Sequence, residues 1–289
     1  MEQKRTDFKL IAKEKYPQII ALDVDGTLVP HGGIIGEKTK KILKDAKDKG
    51  IEVVLVTARP PRWLDPVMEN LGFSTIAICA NGAITVDTKD NSLLDIVIII
   101  KEHAIKVVSE LKKRVPDVVF AAESLEFLRA APGYEDLPEG VKQAEGLVPL
   151  DRYSTIKNVS TVEEMLAEDV YKIVAETFEM DVETFYEIAQ NSVGDILSVT
   201  RSVKGRSYIE FGPLNLSKAE KLAEFSRKRN VKSNNVIAFG DMLNDMDMIQ
   251  WAGIGVAMAN GHEDVKKIAD IIAPSADNDG IAYILEQIL

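Results

Sequence analysis

Two aspartates one residue apart, Asp23 and Asp25, close an apolar run and open onto Gly26-Thr27-Leu28. The run Ile19-Ile20-Ala21-Leu22 reads as a buried strand, which puts both carboxylates at a strand's end. An aspartate placed there can attack phosphorus and carry the group as an aspartyl phosphate, dividing one hard hydrolysis into two easier steps. A second carboxyl two residues on can protonate the leaving oxygen and later take a proton from the attacking water. Gly26 lets the chain turn sharply and bring backbone N–H groups near a phosphate. The competing reading is a hairpin, since Asp-Gly between apolar segments favours a turn. No partner strand follows at once; His31-Gly32-Gly33 and a charged helical stretch come instead.

These residues need a scaffold, and the flanking sequence supplies one. Strand 19–24 leads to a helix near 37–49, where Ile42, Leu43 and Ala46 form an apolar stripe that ends at Gly50. Strand 52–57, a helix near 62–71 ended by Gly72, and strand 75–79 leading into Asn81-Gly82 complete a βαβαβ pattern. That order predicts a parallel sheet with right-handed crossovers, which binds ligands at the carboxyl ends of its strands. From 84 to 212 strands become more frequent and alternate more, with helices near 102–114 and 181–190, which predicts an α+β insert on a largely antiparallel sheet. The α/β pattern resumes at 217. Ser217 with Glu220 predicts a capping box and places Lys218 in a first helical turn. A lysine is disfavoured at that positive end of a helix dipole, which points to an anion nearby. Strand 236–240, a helix from about 243 to 251, strand 254–258, a helix near 262–269 and strand 270–273 follow. The expected fold is α/β: a Rossmann-like parallel-sheet core built from residues 1–83 and 213–289, discontinuous around an insert at 84–212.

Asp23-Val24-Asp25-Gly26-Thr27-Leu28 resembles the first motif of the haloacid dehalogenase superfamily, and the other motifs follow in the family's order. Thr57-Ala58-Arg59 closes the run Val53–Val56, Lys218 opens its helix, and Gly240-Asp241-Met242-Leu243-Asn244-Asp245 closes Val236–Phe239. That hexapeptide, with Asn81-Gly82-Ala83 and Asp277-Asn278-Asp279-Gly280, resembles the Cof-type branch of Mg-dependent phosphatases. The resemblance covers nearly the whole chain, and four motifs in this order are specific where any one is weak. It implies a large α/β cap of the C2 type at 84–212, folded over the site. It also implies hydrolysis of small phosphomonoesters, sugar phosphates or similar metabolites, through an aspartyl phosphate on Asp23. Asp25 would be the acid and base. Mg²⁺ would be held by Asp23, the Asp25 carbonyl and Asp241. Phosphate contacts would come from Val24, Thr57, Ala58, Lys218 and Asn244. Ala58 and Ala219 stand where the family more often has glycine. Asp245 is expected behind the metal ligands rather than among them. Asn81, Gly82 and Arg59 are expected at the substrate pocket, with a surface salt bridge an equal reading for Arg59. A phosphomutase or phosphotransferase on the same fold, or a non-enzymatic phosphometabolite-binding protein, remains an alternative.

Composition narrows the setting. The 289 residues are 46% hydrophobic and 28% charged, as in globular proteins, and no apolar stretch approaches a membrane span. Residues 1–15 mix both charge signs without an apolar signal core, and Cys79 is the only cysteine, which together predict a cytoplasmic protein. A net charge of −11 opposes a general nucleic-acid surface; the family resemblance implies a small phosphorylated molecule as the partner. His31, His103 and His262 share no metal-binding spacing. Within the insert, Glu123, Arg129 and Tyr134 are candidate pocket residues whose default is the surface. Nothing in the sequence speaks to oligomeric state.

Overall fold

The computed structural model describes residues 17–30, 33–134, 156–166, 169–202 and 206–289; His31, Gly32 and residues 1–15 lie outside them. Strands β1 (Ile19–Leu22), β2 (Glu52–Val56) and β3 (Ile76–Cys79) pair in parallel, β2 with β1 and β3 with β2. Helices α1 (Glu37–Asp48) and α2 (Asp65–Leu71) make the crossovers. Strands β4 (Ile84–Asp87) and β5 (Ser92–Ile96) then extend the same sheet antiparallel. The sequence expectation places these two strands in the insert, whose start it puts at 84. Alternation alone cannot assign a strand to a sheet, and the short turn after β3 returns β4 onto its neighbour.

Helix α3 (Lys101–Arg114) opens the insert proper. A second sheet follows from β6 (Val119–Glu123), β7 (Leu128–Ala130), β8 (Ile156–Asn158), β9 (Lys172–Glu176), β10 (Ser198–Thr200) and β11 (Tyr208–Gly212), in the order β10-β11-β9-β6-β7-β8. All its pairings are antiparallel except β7 with β8. Helices α4 (Val162–Met165) and α5 (Val182–Val193) belong to this region. Residues from α3 and α5, among them Val107, Leu111, Phe185 and Ala189, pack against Phe120, Ile173, Ala175 and Ile209 on one sheet face. The other face carries Glu123, Lys172, Val174 and Glu210, as the two-residue period requires.

The chain returns with α6 (Lys218–Lys228), β12 (Val236–Gly240), α7 (Met246–Trp251), β13 (Ile254–Met258), α8 (Glu263–Ile268), β14 (Ile271–Ala273) and α9 (Gly280–Ile288). The main sheet reads β14-β13-β12-β1-β2-β3-β4-β5, so β1 lies between β12 and β2. Helices cover both faces. Ile20 and Leu22 join Leu43, Ile281 and Leu285 on one side, whereas Ile19 and Ala21 join Leu222, Phe225 and Met248 on the other. Burial on two faces is why these strands read as unbroken apolar runs. Helix α9 also ties the ends of the core together: Asp279 just before it accepts from the Thr39 hydroxyl at 2.8 Å, capping the first turn of α1.

Candidate active site

Asp23 and Asp241 leave the carboxyl ends of the adjacent strands β1 and β12, and the Asp23 N–H donates to Phe239 O at 3.0 Å. Gly26 turns the chain over them with φ +80°. A Cβ there would come within 2.5 Å of Asp241 Oδ2, so the close approach itself demands glycine. The hydroxyl of Thr27 donates to Asp241 Oδ1 at 3.0 Å. Lys218 opens α6 behind its N-cap Ser217, whose Oγ accepts from Glu220 N–H. The anions opposite this lysine belong to the chain itself. Its Nζ donates to Asp23 Oδ1 at 2.5 Å and Asp245 Oδ1 at 2.6 Å, and the lysine is only 2% exposed.

Asp23, Asp241 and Asp245 each present an oxygen within 4.8 Å of the others. Burial, then repulsion from Asp245, pushes the Asp23 carboxyl well above the usual range, against the pull of Lys218. Burial and the same neighbour push Asp241 up to about 7, with Thr27 and Lys218 opposing. Lys218 is raised because its two carboxylates outweigh the desolvation that would lower it. Asp245 commits Oδ1 to Lys218 and Oδ2 to the N–H groups of Asp241 and Met242, at 3.0 and 2.9 Å. These bonds hold the loop around Asp241.

The remaining expected residues line the same end of the sheet. Thr57 and Ala58 follow β2. Thr57 is buried, its hydroxyl accepts from Arg59 N–H at 3.0 Å, and its carbonyl accepts from Asn81 N–H at 3.0 Å. Holding that carbonyl turns the Ala58 N–H the opposite way across a trans peptide. Neither this N–H nor that of Val24 is hydrogen-bonded among the described residues. Arg59 is buried, not at the surface, and grips Asp25 with two bonds, Nε to Oδ2 at 2.9 Å and Nη2 to Oδ1 at 2.5 Å. The Asp25 side chain is 49% exposed. Asn244 donates through Nδ2 to Asn81 Oδ1 at 3.0 Å, and Gly82 packs against the Ser217 carbonyl, where a Cβ would sit 2.6 Å away. Thus Asp23, Asp25, Thr57, Lys218, Asp241 and Asp245 gather around β1, and Asn81 and Asn244 flank them.

The structure also reveals residues that motif reading missed. Arg62 reaches Glu123 and Tyr171 of the cap sheet, and Lys172 and Glu210 form a buried ion pair at 2.8 Å. Glu123 and Tyr134, candidate pocket residues with the surface as their default, are buried, and Arg129 pairs with Asp169 at 2.9 Å. The available signal was a lone charge inside an apolar strand, as in Tyr171-Lys172-Ile173-Val174 and Ile209-Glu210-Phe211, which requires a buried partner. Asn260 is a second omission: it donates to Gly26 O at 2.7 Å and accepts from Ala276 N–H, bracing the turn above Asp241. Among the histidines, His262 Nδ1 accepts from Asp264 N–H and caps α8.

The main sheet thus carries buried carboxylates at adjacent strand ends, a buried lysine joins Asp23 to Asp245, and a second, separate sheet is inserted in the chain. Residues 20–285 match the haloacid dehalogenase-like hydrolase family, and the chain belongs to it. It is 30% identical over 265 residues to the 5-amino-6-(5-phospho-D-ribitylamino)uracil phosphatase YcsE of Bacillus subtilis, covering 92% of this chain and 93% of that one. It is 25% identical to the pyridoxal phosphate phosphatase YbhA of Escherichia coli, over 93% of this chain and 97% of that one. A solved haloacid dehalogenase-like hydrolase from Bacillus subtilis superposes with a TM-score of 0.78 at 26% identity, covering 94% of this chain and 100% of the other. The protein is accordingly a hydrolase of phosphoric monoesters. No helix among the described residues is long and apolar enough to cross a membrane.

Proposed function

We propose that the chain is a Mg²⁺-dependent phosphatase that cleaves small phosphomonoesters through an aspartyl phosphate on Asp23. The observation that carries this reading is the arrangement of Lys218 between Asp23 and Asp245 with Asp241 alongside: three buried carboxylates and one ammonium. The donor set fits a hard, oxygen-seeking cation. Asp23 and Asp241 are both pushed up by burial and like charge, the strain a cation relieves, and each has one oxygen outside the bonds to Lys218 and Thr27. These two carboxylates and the Asp25 carbonyl would hold Mg²⁺, which when bound offsets repulsion between the nucleophile and the phosphoryl oxygens.

The chain's own residues supply the rest. One oxygen of the Asp23 carboxylate attacks phosphorus; the bond from phosphorus to the leaving oxygen breaks, and Asp25 gives that oxygen its proton. Asp25 then takes a proton from water as the water attacks phosphorus, breaking the bond to Asp23 and releasing orthophosphate. Both Asp25 oxygens face Arg59 in this structure, so Arg59 stores the carboxyl beside the site and must release it for each transfer. The N–H groups of Val24 and Ala58, the Thr57 hydroxyl, Lys218 and Asn244 bind the phosphate.

Among the described residues, the cap runs from 97 to 212 in this reading, with those before 97 and from 213 to 289 forming the core. Its face toward the core carries charges already matched, Glu123 with Arg62 and Glu210 with Lys172. Such a face suits an uncharged, hydrogen-bonding leaving group such as a sugar or similar metabolite. A cytoplasmic location and a small-molecule partner complete the proposal.

The test is orthophosphate release from a panel of sugar phosphates, nucleotides and phosphorylated cofactors, with Mg²⁺ and with chelator. Wild type should turn over only with Mg²⁺, and Asp23→Asn should lose on the order of 10⁴-fold or more in kcat. Because Asp23 is repelled by its neighbours, the variant should melt at or near the wild-type temperature. Normal turnover by a well-folded Asp23→Asn protein would refute the assignment.

A further inference from the structure

A buried polar chain runs from the cap sheet into two loops of the core, and chemistry fixes its direction. Glu210 on β11 is a carboxylate and only accepts: Oε1 from Lys172 Nζ at 2.8 Å, Oε2 from Asn81 Nδ2 at 2.8 Å. With its nitrogen committed to Glu210, Asn81 presents Oδ1 on the other side, where it accepts from Asn244 Nδ2 at 3.0 Å. One cap carboxylate therefore settles which way two successive amides point. It also leaves Asn244 Oδ1 buried with no hydrogen-bond partner among the described residues. The same ion pair reaches the neighbouring loop, because Lys172 Nζ donates to Ala58 O at 3.0 Å. Asn81 holds a left-handed backbone, φ +54°, that the contacts on both its sides must maintain. Asn81, Lys172 and Glu210 also line a narrow crevice together with Thr200 and Ser198.

Neither cap residue is arranged to touch a substrate. Glu210 has both oxygens engaged, and Lys172 already serves two acceptors. We propose that Lys172 and Glu210 are positioning residues, which act through Ala58, Asn81 and Asn244 to set the phosphate-binding loops when the cap is seated. Cap closure and phosphate capture are thereby one event, and by linkage phosphate must favour the closed cap by the same factor that closure favours phosphate. The inference rests on the proposed phosphatase site.

It separates from a leaving-group role in a direct way. A residue that reads the leaving group changes the ranking of substrates; one that sets the phosphate loops lowers all of them alike. Glu210→Gln and Lys172→Met should each reduce kcat/KM on the order of tenfold, by a similar factor across the panel, and weaken inhibition by orthophosphate in the presence of Mg²⁺ by a like amount. Amide hydrogen exchange across 57–59 and 80–83 should speed up in both variants without any ligand, and orthophosphate with Mg²⁺ should no longer slow it as it does in wild type. Removing one member of a buried pair can unfold a chain, so the paired variant Lys172→Met with Glu210→Leu, which removes both charges, is measured beside them. It should fold and keep the same kinetic loss. Wild-type exchange in the two loops of any folded variant, or unequal losses that reorder the substrates, overturns the proposal. A wild-type protein that releases no orthophosphate from any ester would instead sink the phosphatase reading, while the ligand-free exchange still decides the coupling.

Discussion

Two buried charge clusters lie near each other in this molecule and are built on opposite terms. At the ends of β1 and β12, three carboxylates face one ammonium, and two of those carboxylates are pushed above their ordinary range. At the junction of cap and core, Glu123 faces Arg62 and Glu210 faces Lys172, each pair matched one to one and further bonded to carbonyls, amides or a phenol. Burial makes an unmatched charge costly, so the first cluster persists because the fold holds it, and the proposed cation and phosphate would complete it. The second is complete as it stands. Imbalance marks where the chemistry is, and balance marks where shape is being held.

The comparison breaks most sharply at Lys218. Lys218→Met leaves three buried carboxylates with no positive partner, and unfolding free energy should fall by roughly 3–5 kcal/mol. Turnover should vanish with it. Mg²⁺ should then raise the variant's melting temperature by more than it raises that of wild type, because a cation supplies the missing charge. Equal Mg²⁺ shifts in the two proteins would mean that the cluster does not behave as one electrostatic unit. Glu123→Gln tests the other side. It removes one charge from a matched pair whose arginine keeps the Ser124 carbonyl and the Tyr171 hydroxyl at 3.2 and 3.4 Å. The loss should be about 2 kcal/mol, with KM rising and kcat near the wild-type value. A fall in kcat with KM unchanged would place Glu123 in the chemical step instead.

The two clusters were unequally visible in the sequence. The first was legible because its residues sit in short motifs, where Asp23-Val24-Asp25-Gly26 and Gly240-Asp241 close apolar strands. Even Lys218 carried a signal, a positive charge at a helix start. The partners of the second cluster are 61 positions apart for Arg62 and Glu123 and 38 for Lys172 and Glu210, and no local pattern links such residues. Arg59 was ambiguous for a similar reason: only the folded chain shows that Asp25, 34 positions away, is its partner. The main sheet was readable from its unbroken apolar runs, whereas β4 and β5, which continue that sheet antiparallel, look like the cap strands that follow. Helix α9 was readable too and was missed, since Ile281, Ile284, Leu285 and Ile288 keep a helical period.

The smallest effect is expected where a matched pair in the cap touches neither the core nor the motifs. Arg206 grips both oxygens of Glu176 at 2.8 Å, yet burial still raises that carboxyl above the usual glutamate range. Its charge is thus tolerated rather than favoured, and Glu176→Gln should change stability by about 1 kcal/mol or less at neutral pH. The sign of the pH dependence follows. A carboxyl whose folded value lies above its unfolded value binds more protons in the native state, so its contribution falls as pH rises from the ordinary value of 4.5 toward the raised one, then levels off. Wild type should therefore hold its greatest advantage over the variant on the acid side of that window and lose it as pH rises. Denaturant titrations of both proteins at several pH values would show this, with kcat/KM alike at pH 7. An advantage that instead grew with pH would mean that the Arg206 pair stabilises the charged form more than burial opposes it. The contrast between a strained site and settled pairs would then extend to Glu176.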